Sequence, residues 1–253
     1  MRPLVDLAGK KGLVVGIAND SSIAYGCAAA FRACGADLAV TWAQPHVRPL
    51  AEALGSGIVV PCDVREPGQL EAVFARIERE WGRLDFLLHS IAFAPREDLH
   101  ARVVDCSRDG FLLAMDVSCH SFLRMAKLAE PLMADGGCLL TVTFYGSEKV
   151  VANYNLMGPV KAALESSVRY MAAELGPKGI RVHAVSPGPL KTRAASGIDR
   201  FDELLEQAAA QAPQGHLVTI EDVGATAAFL VSDAAKALTG SVAFVDGGYN
   251  IVA

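Results

Sequence analysis

The chain has no CxxC pair among its six cysteines, which are scattered as Cys27, Cys34, Cys62, Cys106, Cys119 and Cys138. A disulfide framework or a structural zinc site needs close-set thiols, so neither is expected, no metal site is assigned, and reduced, buried thiols are the reading. No run reaches the roughly 18 uninterrupted apolar residues of a membrane helix. The opening Met-Arg-Pro-Leu-Val-Asp-Leu-Ala-Gly-Lys-Lys lacks the apolar core of a signal peptide. These absences predict a cytoplasmic protein with no membrane partner. Positive charge is not in excess either: 23 Lys and Arg against 28 Asp and Glu leave a net charge of -5, which argues against nucleic acid as a partner. There is no internal repeat and no linker.

What is present is a chain of 253 residues, 52% apolar and 20% charged, long enough for one sizeable core and expected to form a single domain over 1–253. Short β-branched and leucine-rich runs at Leu13–Ile17, Leu38–Trp42, Gly57–Pro61, Leu84–Ile91, Cys138–Thr143, Ile180–Val185 and Ser241–Val245 read as strands. Helical periodicity fills the gaps. Nearly continuous apolar strands are buried on both faces, and intervening helices demand crossovers. The expectation is an α/β fold, a doubly wound, Rossmann-type, seven-stranded parallel sheet. Only Pro187 to Gly215 breaks the rhythm, with a loop, a short helix and a second loop.

The first strand runs into Gly16-Ile-Ala-Asn-Asp-Ser-Ser22-Ile23-Ala-Tyr-Gly26. This is not GxGxxG. Even so, a glycine turn into a helix that Ser22 can cap offers N–H groups and a helix dipole to a pyrophosphate. The third run ends in Cys62-Asp63-Val64, a carboxylate at the strand's carboxyl edge, placed to meet an adenine. The fourth ends in His89-Ser-Ile91-Ala92-Phe-Ala94-Pro95 at the same rim. Each has an ordinary reading as a strand terminus; three on one rim favour a dinucleotide.

Residues 143–161 hold Tyr145, Tyr154, Lys149 and Lys161. On a helix beginning near Tyr154, Lys161 lies two turns and about 10 Å further on, only ~20° off the same line. Spacing alone does not separate a working pair from a helix-start aromatic and a solvated lysine. The Tyr-x3-Lys of carbonyl-reducing short-chain dehydrogenases is absent, because Met157 stands four residues before Lys161.

Taken together, Gly-x5-Ser-Ile-Ala-Tyr-Gly, Cys-Asp-Val, His-Ser-Ile-x-Phe-Ala-Pro, Tyr-x6-Lys, Gly-Pro-x-x-Thr-x-Ala-Ala-Ser-Gly-Ile and Thr-Ile-Glu-Asp-Val-Gly resemble the NADH-dependent enoyl-acyl-carrier-protein reductases. These are divergent short-chain dehydrogenases/reductases, and the resemblance runs from about Leu7 to Val252. It implies reduction of the trans-2 double bond of an acyl thioester in fatty-acid biosynthesis, and a homotetramer. By the same resemblance, Tyr154 hydrogen-bonds the thioester carbonyl while Lys161 holds the nicotinamide ribose. Gly16, Ser22, Ile23, Asp63, Val64, Ile91, Leu190 and Thr192 complete the cofactor site, and Ala94, Phe144, Ala194 and Phe201 shape the acyl pocket around Tyr154. The Lys161 charge is expected to favour an ionised or strongly polarised phenol.

Several positions depart from that family. Phe144 stands where a tyrosine is usual, ten positions before Tyr154; Tyr145 cannot replace it, because neighbours at a strand end point to opposite faces. The loop Thr41-Trp-Ala-Gln-Pro-His-Val-Arg48 offers no carboxylate for a ribose 2′-hydroxyl, and Ala43 replaces a residue that is often polar. The reading is NADH, with NADPH left open through His46 and Arg48. Ala92 replaces a frequent glycine, adding a methyl group beside the pocket. A substrate lid is expected at about 190–215, with Phe201, Leu204 and Leu205 over the acyl chain. Its acids Asp199, Asp202, Glu203 and Glu206 outnumber Arg200, which weakens docking of an acidic carrier protein and leaves coenzyme A open, with Lys191 and Arg193 as substitute cations. An enoyl-CoA or carbonyl reductase and a catalytically weak dinucleotide-binding paralogue are the alternatives.

Overall fold

The computed structural model describes residues 3–190 and 201–252. Its seven strands are β1 (Lys11–Val15), β2 (Asp37–Trp42), β3 (Ile58–Pro61), β4 (Phe86–His89), β5 (Gly137–Val142), β6 (Ile180–Pro187) and β7 (Val242–Val245). All pairs are parallel, in the order β3-β2-β1-β4-β5-β6-β7. Parallel neighbours cannot be joined by a hairpin, so helices cross between them: α1 (Ile23–Ala33), α2 (Arg48–Ala53), α3 (Gln69–Trp81), α4 (Arg96–His100), α5 (Arg108–Met115), α6 (Ser121–Ala129), α7 (Met157–Leu175), α8 (Phe201–Gln211) and α9 (Ile220–Val231), while α10 (Tyr249–Val252) follows the last strand.

Period-two alternation sorts the strand side chains onto two apolar layers. Val14, Leu38, Val40, Phe86, Leu88 and Leu140 pack with Phe31 of α1 and Val223, Ala227 and Leu230 of α9. Leu13, Val15, Ala39, Leu87 and Leu139 face the other way, onto Phe74 and Ile77 of α3, Phe122 and Met125 of α6, and Val160, Leu164 and Val168 of α7. Burial on both faces is what makes the strands read as unbroken apolar runs.

The observed ladders differ from the expected strands at their ends. β4 stops at His89 rather than Ile91, because the last inter-strand pairing joins His89 to Thr141, and Ser90 and Ile91 already belong to the rim loop. All six cysteines are free, with Cys34 and Cys106 half-buried rather than buried. Among the described residues no helix is long and apolar enough to cross a membrane.

The chain winds from β1 out to β3, then returns to β4 and proceeds the other way to β7. The carboxyl ends of β1 and β4 therefore flank the point where the winding reverses, where an open α/β sheet forms its binding crevice.

Candidate active site

At that reversal lies a cleft of about 300 Å³ lined by Gly16, Ile17, Thr41, Ala43, Asp63, Val64, Arg65, Ile91, Ala92 and Phe93, among others. Gly16 has φ of +115°, and a Cβ on it would fall 2.0 Å from the Ser90 carbonyl oxygen. Only glycine lets β1 and the β4 loop approach this closely, which keeps the mouth of the cleft lined by backbone. A backbone cradle at Gly16 and the nearby N-terminus of α1 fit a dinucleotide.

The cleft gathers Gly16, Asp63, Val64 and Ile91 from the expected cofactor set; Ser22, Ile23, Lys161 and Leu190 do not line it. Ser22 precedes α1 but does not cap it. Its hydroxyl donates to the Asn19 carbonyl at 2.7 Å, and no side-chain capping bond forms. Thr192 and Ala194, together with the side chain of Phe201, lie outside the described residues.

Asp63 is not a bare acceptor. Arg65 donates to it from Nε at 3.0 and 3.2 Å and from Nη2 at 2.6 Å, and the Arg65 guanidinium lies 5.5 Å over the Phe93 ring. The guanidinium holds the carboxyl below the usual range. Arg65, which the sequence reading did not single out, thus forms part of the wall of the cleft.

Tyr154 sits in a turn, not on a helix, because α7 starts only at Met157. Asn153 and Asn155, on either side, adopt left-handed φ values of 63° and 39°, and asparagine accepts that region better than most residues. Asn155 is anchored by donating to the Leu99 carbonyl at 2.8 Å. The Tyr154 ring is buried and meets Phe144 edge-on, with centroids 4.8 Å apart. Burial first, then the Glu165 carboxylate, pushes the phenol above its usual range. Of the expected ionised or strongly polarised phenol, the ionised form is the one this shift opposes: the group is a neutral donor at pH 7.

Lys161 is buried on α7 and donates from Nζ to the Val142 carbonyl at 2.7 Å. Burial pushes its ammonium down to about 8, against the opposing pull of Cys119 and Glu165. Tyr154 rests on Phe144 and Lys161 is tied to the Val142 carbonyl, so both pack against the carboxyl end of β5, through the segment 142–146 rather than along one helix face. Cys119 comes from a π-helical turn at Asp116–His120 between α5 and α6, the kind of local widening often found beside functional sites.

Residues 16–250 match the family described as Enoyl-(Acyl carrier protein) reductase. The chain belongs to the enoyl-acyl-carrier-protein reductase family. A relative from Rhizobium meliloti (strain 1021), named enoyl-(acyl-carrier-protein) reductase (NADH) 1, is 47% identical over 96% of this chain and 91% of its own length. The crystal structure of the enoyl-(acyl-carrier-protein) reductase (NADH) from Aquifex aeolicus VF5 has a TM-score of 0.93 at 47% identity, covering 97% of this chain and 98% of that one. The reductase from Anaplasma phagocytophilum, solved in complex with NAD, has a TM-score of 0.93 at 45% identity, over 97% of this chain and 95% of that one.

Within this reductase scaffold, adjacent residues at the end of β5 part company as expected. Phe144 turns to Tyr154, whereas Tyr145 is buried against Tyr249, Ala208 and Ala212. Tyr145 thus helps seat α8, the helix of the expected lid, by its foot. Along α8, Leu205 and Ala208 are buried while Asp202, Glu203 and Glu206 are exposed, so the acids do face outward. Ala94 is half-buried against the same core as Phe144 and Tyr154. Leu190 packs instead with the layer around α1 and α9. Lys149 is exposed.

Proposed function

We propose that Tyr154 and Lys161 carry out the chemistry of this reductase, with Phe144 and Ala94 against the acyl end and the cleft beside Gly16, Asp63, Val64 and Ile91 holding the adenosine half of the cofactor. The protein is an NADH-dependent enoyl-acyl-carrier-protein reductase, an oxidoreductase of fatty-acid biosynthesis acting on a CH–CH bond. When bound, NADH supplies the hydride that enters C3 of the enoyl thioester. Negative charge then grows on the thioester carbonyl oxygen, and the neutral Tyr154 hydroxyl donates to that oxygen. One preorganised donor of this kind is typically worth about 10²–10³ in rate. The Lys161 ammonium would hold the nicotinamide ribose through its hydroxyls and would add its positive charge to the site.

The observation that carries the assignment is a buried tyrosine resting on Phe144 and a buried lysine bonded to the Val142 carbonyl, both at the carboxyl end of β5, next to the strand β4 that flanks the reversal point. In Tyr154→Phe, NADH oxidation with a crotonyl thioester falls about 10²–10³-fold while NADH still binds; undiminished oxidation would overturn the assignment. The loss of Tyr-x3-Lys geometry counts against simple ketones as substrates.

The acyl donor is carrier protein rather than coenzyme A, in keeping with the family, although the exposed acids of α8 would repel an acidic carrier. Comparing kcat/KM for crotonyl groups on the two carriers tests it, and a large preference for coenzyme A sinks it. The working assembly is a homotetramer in the cytoplasm. The exposed Val103, Val104, Phe111, Leu112, Ile251 and Val252 supply apolar surface for self-association. Sedimentation at low micromolar concentration checks this, and a monomer would refute it.

A further inference from the structure

Glu165 lies one turn beyond Lys161 on α7 and is only 5% exposed. Residues four apart on a helix share a face, so both charges point at the same part of the sheet. Its Oε1 accepts from Thr143 Oγ1 and from Ser147 Oγ, each at 2.6 Å. Bonds this short are typical of hydroxyls donating to an ionised carboxylate. Lys161 binds the neighbouring Val142 carbonyl. Two charged residues of one helix thus hold positions 142, 143 and 147. Between those ties lie Phe144, whose ring meets Tyr154, and Gly146, where an added Cβ would stand 2.5 Å from Cδ1 of Tyr154.

We propose that Glu165 is a positioning residue of the reaction: it grips both ends of the Phe144–Gly146 segment on which the Tyr154 ring rests, and it keeps a negative charge beside Lys161. The proposal rests on the assignment of Tyr154 and Lys161 as the reacting pair. The charges and titratable groups facing Lys161 are Cys119 from the π-helical turn, His89 from the end of β4 and Glu165 on its own helix. Of these, Glu165 is the one that also opposes ionisation of Tyr154. It therefore acts on both partners in the useful sense, holding the proton on the phenol and on the ammonium. Removing its charge while keeping its shape should let Lys161 lose its proton at lower pH.

The test is the pH profile of kcat/KM for a crotonyl thioester, from about pH 6 to 9.5, in Glu165→Gln, Glu165→Asp and Ser147→Ala, with Tyr154→Phe alongside. Glu165→Gln lowers kcat about tenfold and moves the basic limb down by about one pH unit, the scale of one charge several ångströms away in a partly screened interior. Glu165→Asp restores the position of the limb but not the full kcat. Ser147→Ala cuts one tie, so kcat falls while the limb stays in place. A basic limb unmoved in Glu165→Gln overturns the proposal, whatever happens to the melting temperature. Should Glu165→Gln not fold, an unchanged kcat in Ser147→Ala combined with Thr143→Val overturns it instead. Undiminished turnover in Tyr154→Phe would sink the parent assignment, an outcome distinct from all of these.

Discussion

The ring of Phe144 stands edge-on to that of Tyr154, centroids 4.8 Å apart and planes inclined at 61°. Phe144 thus keeps the aromatic wall that a tyrosine there would form, without its hydroxyl. If that wall shapes the acyl pocket, Phe144→Tyr changes the ratio of kcat/KM between short and long enoyl chains and leaves kcat on a crotonyl thioester within about tenfold. A larger gain in kcat would show that the missing hydroxyl serves the chemistry itself.

Gly146 is the second support of Tyr154. In Gly146→Ala the new methyl would stand 2.5 and 2.9 Å from Cδ1 and Cε1 of the ring, well inside van der Waals contact. The ring must shift, and a displaced donor stabilises the oxyanion poorly. The expected result is a fall in kcat of about tenfold or more with NADH affinity nearly unchanged. A variant with wild-type kcat would mean the ring does not rest on this backbone.

With Lys161 in the reaction, the reductase should show a basic limb. The lysine's ammonium, pushed down to about 8 by burial, is present at neutral pH and is lost as pH rises through that value. Because kcat/KM reports ionisations of the free enzyme, it should hold level near pH 7 and fall above about 8, by up to about tenfold per unit. Lys161→Met removes the break along with most activity. A profile that stays level to about pH 9.5 would place the lysine outside the reaction.

The sheet was legible in the sequence because its strands are buried on both faces and their apolar runs stand out, down to the shared rim of Gly16, Asp63 and Ile91. The strand ends were less so, since apolar residues such as Ile91 continue past the last ladder bond of β4. Tyr154 read as helical because a seven-residue spacing suits a helix. The signal that says otherwise is the pair of asparagines around it, a combination suited to left-handed turns. Glu165 was invisible for a different reason: a glutamate on a long helix looks solvated, and its hydroxyl partners Thr143 and Ser147 lie 22 and 18 residues away in sequence. Arg65 is only two residues from Asp63, but nothing in the sequence says that its guanidinium turns back rather than outward.

His89 sets a limit on acid stability. It is fully buried at the end of β4, with Nδ1 2.8 Å from Thr141 Oγ1 and Nε2 2.8 Å from Ser121 Oγ. Ser121 commits its own proton to the Val117 carbonyl at 2.7 Å, so the ring donates to it from Nε2, while the single Thr141 proton is shared between Nδ1 and the His89 carbonyl, 3.2 Å from Oγ1. Burial, with the Lys161 charge second, pushes this imidazole down to about 3 from 6.5. The unfolded chain therefore takes up a proton below about 6.5 that the folded protein refuses until about 3, and stability falls with falling pH across that window. His89 alone should cost about 2 kcal/mol between pH 7.5 and 5. His183, also fully buried and pushed down to about 4, adds a separate loss over the upper part of the same range. Urea unfolding at the two pH values measures the difference. His89→Gln, which does not titrate, should lose about 2 kcal/mol less than wild type between them; equal losses in the two proteins would mean that His89 takes its proton without unfolding.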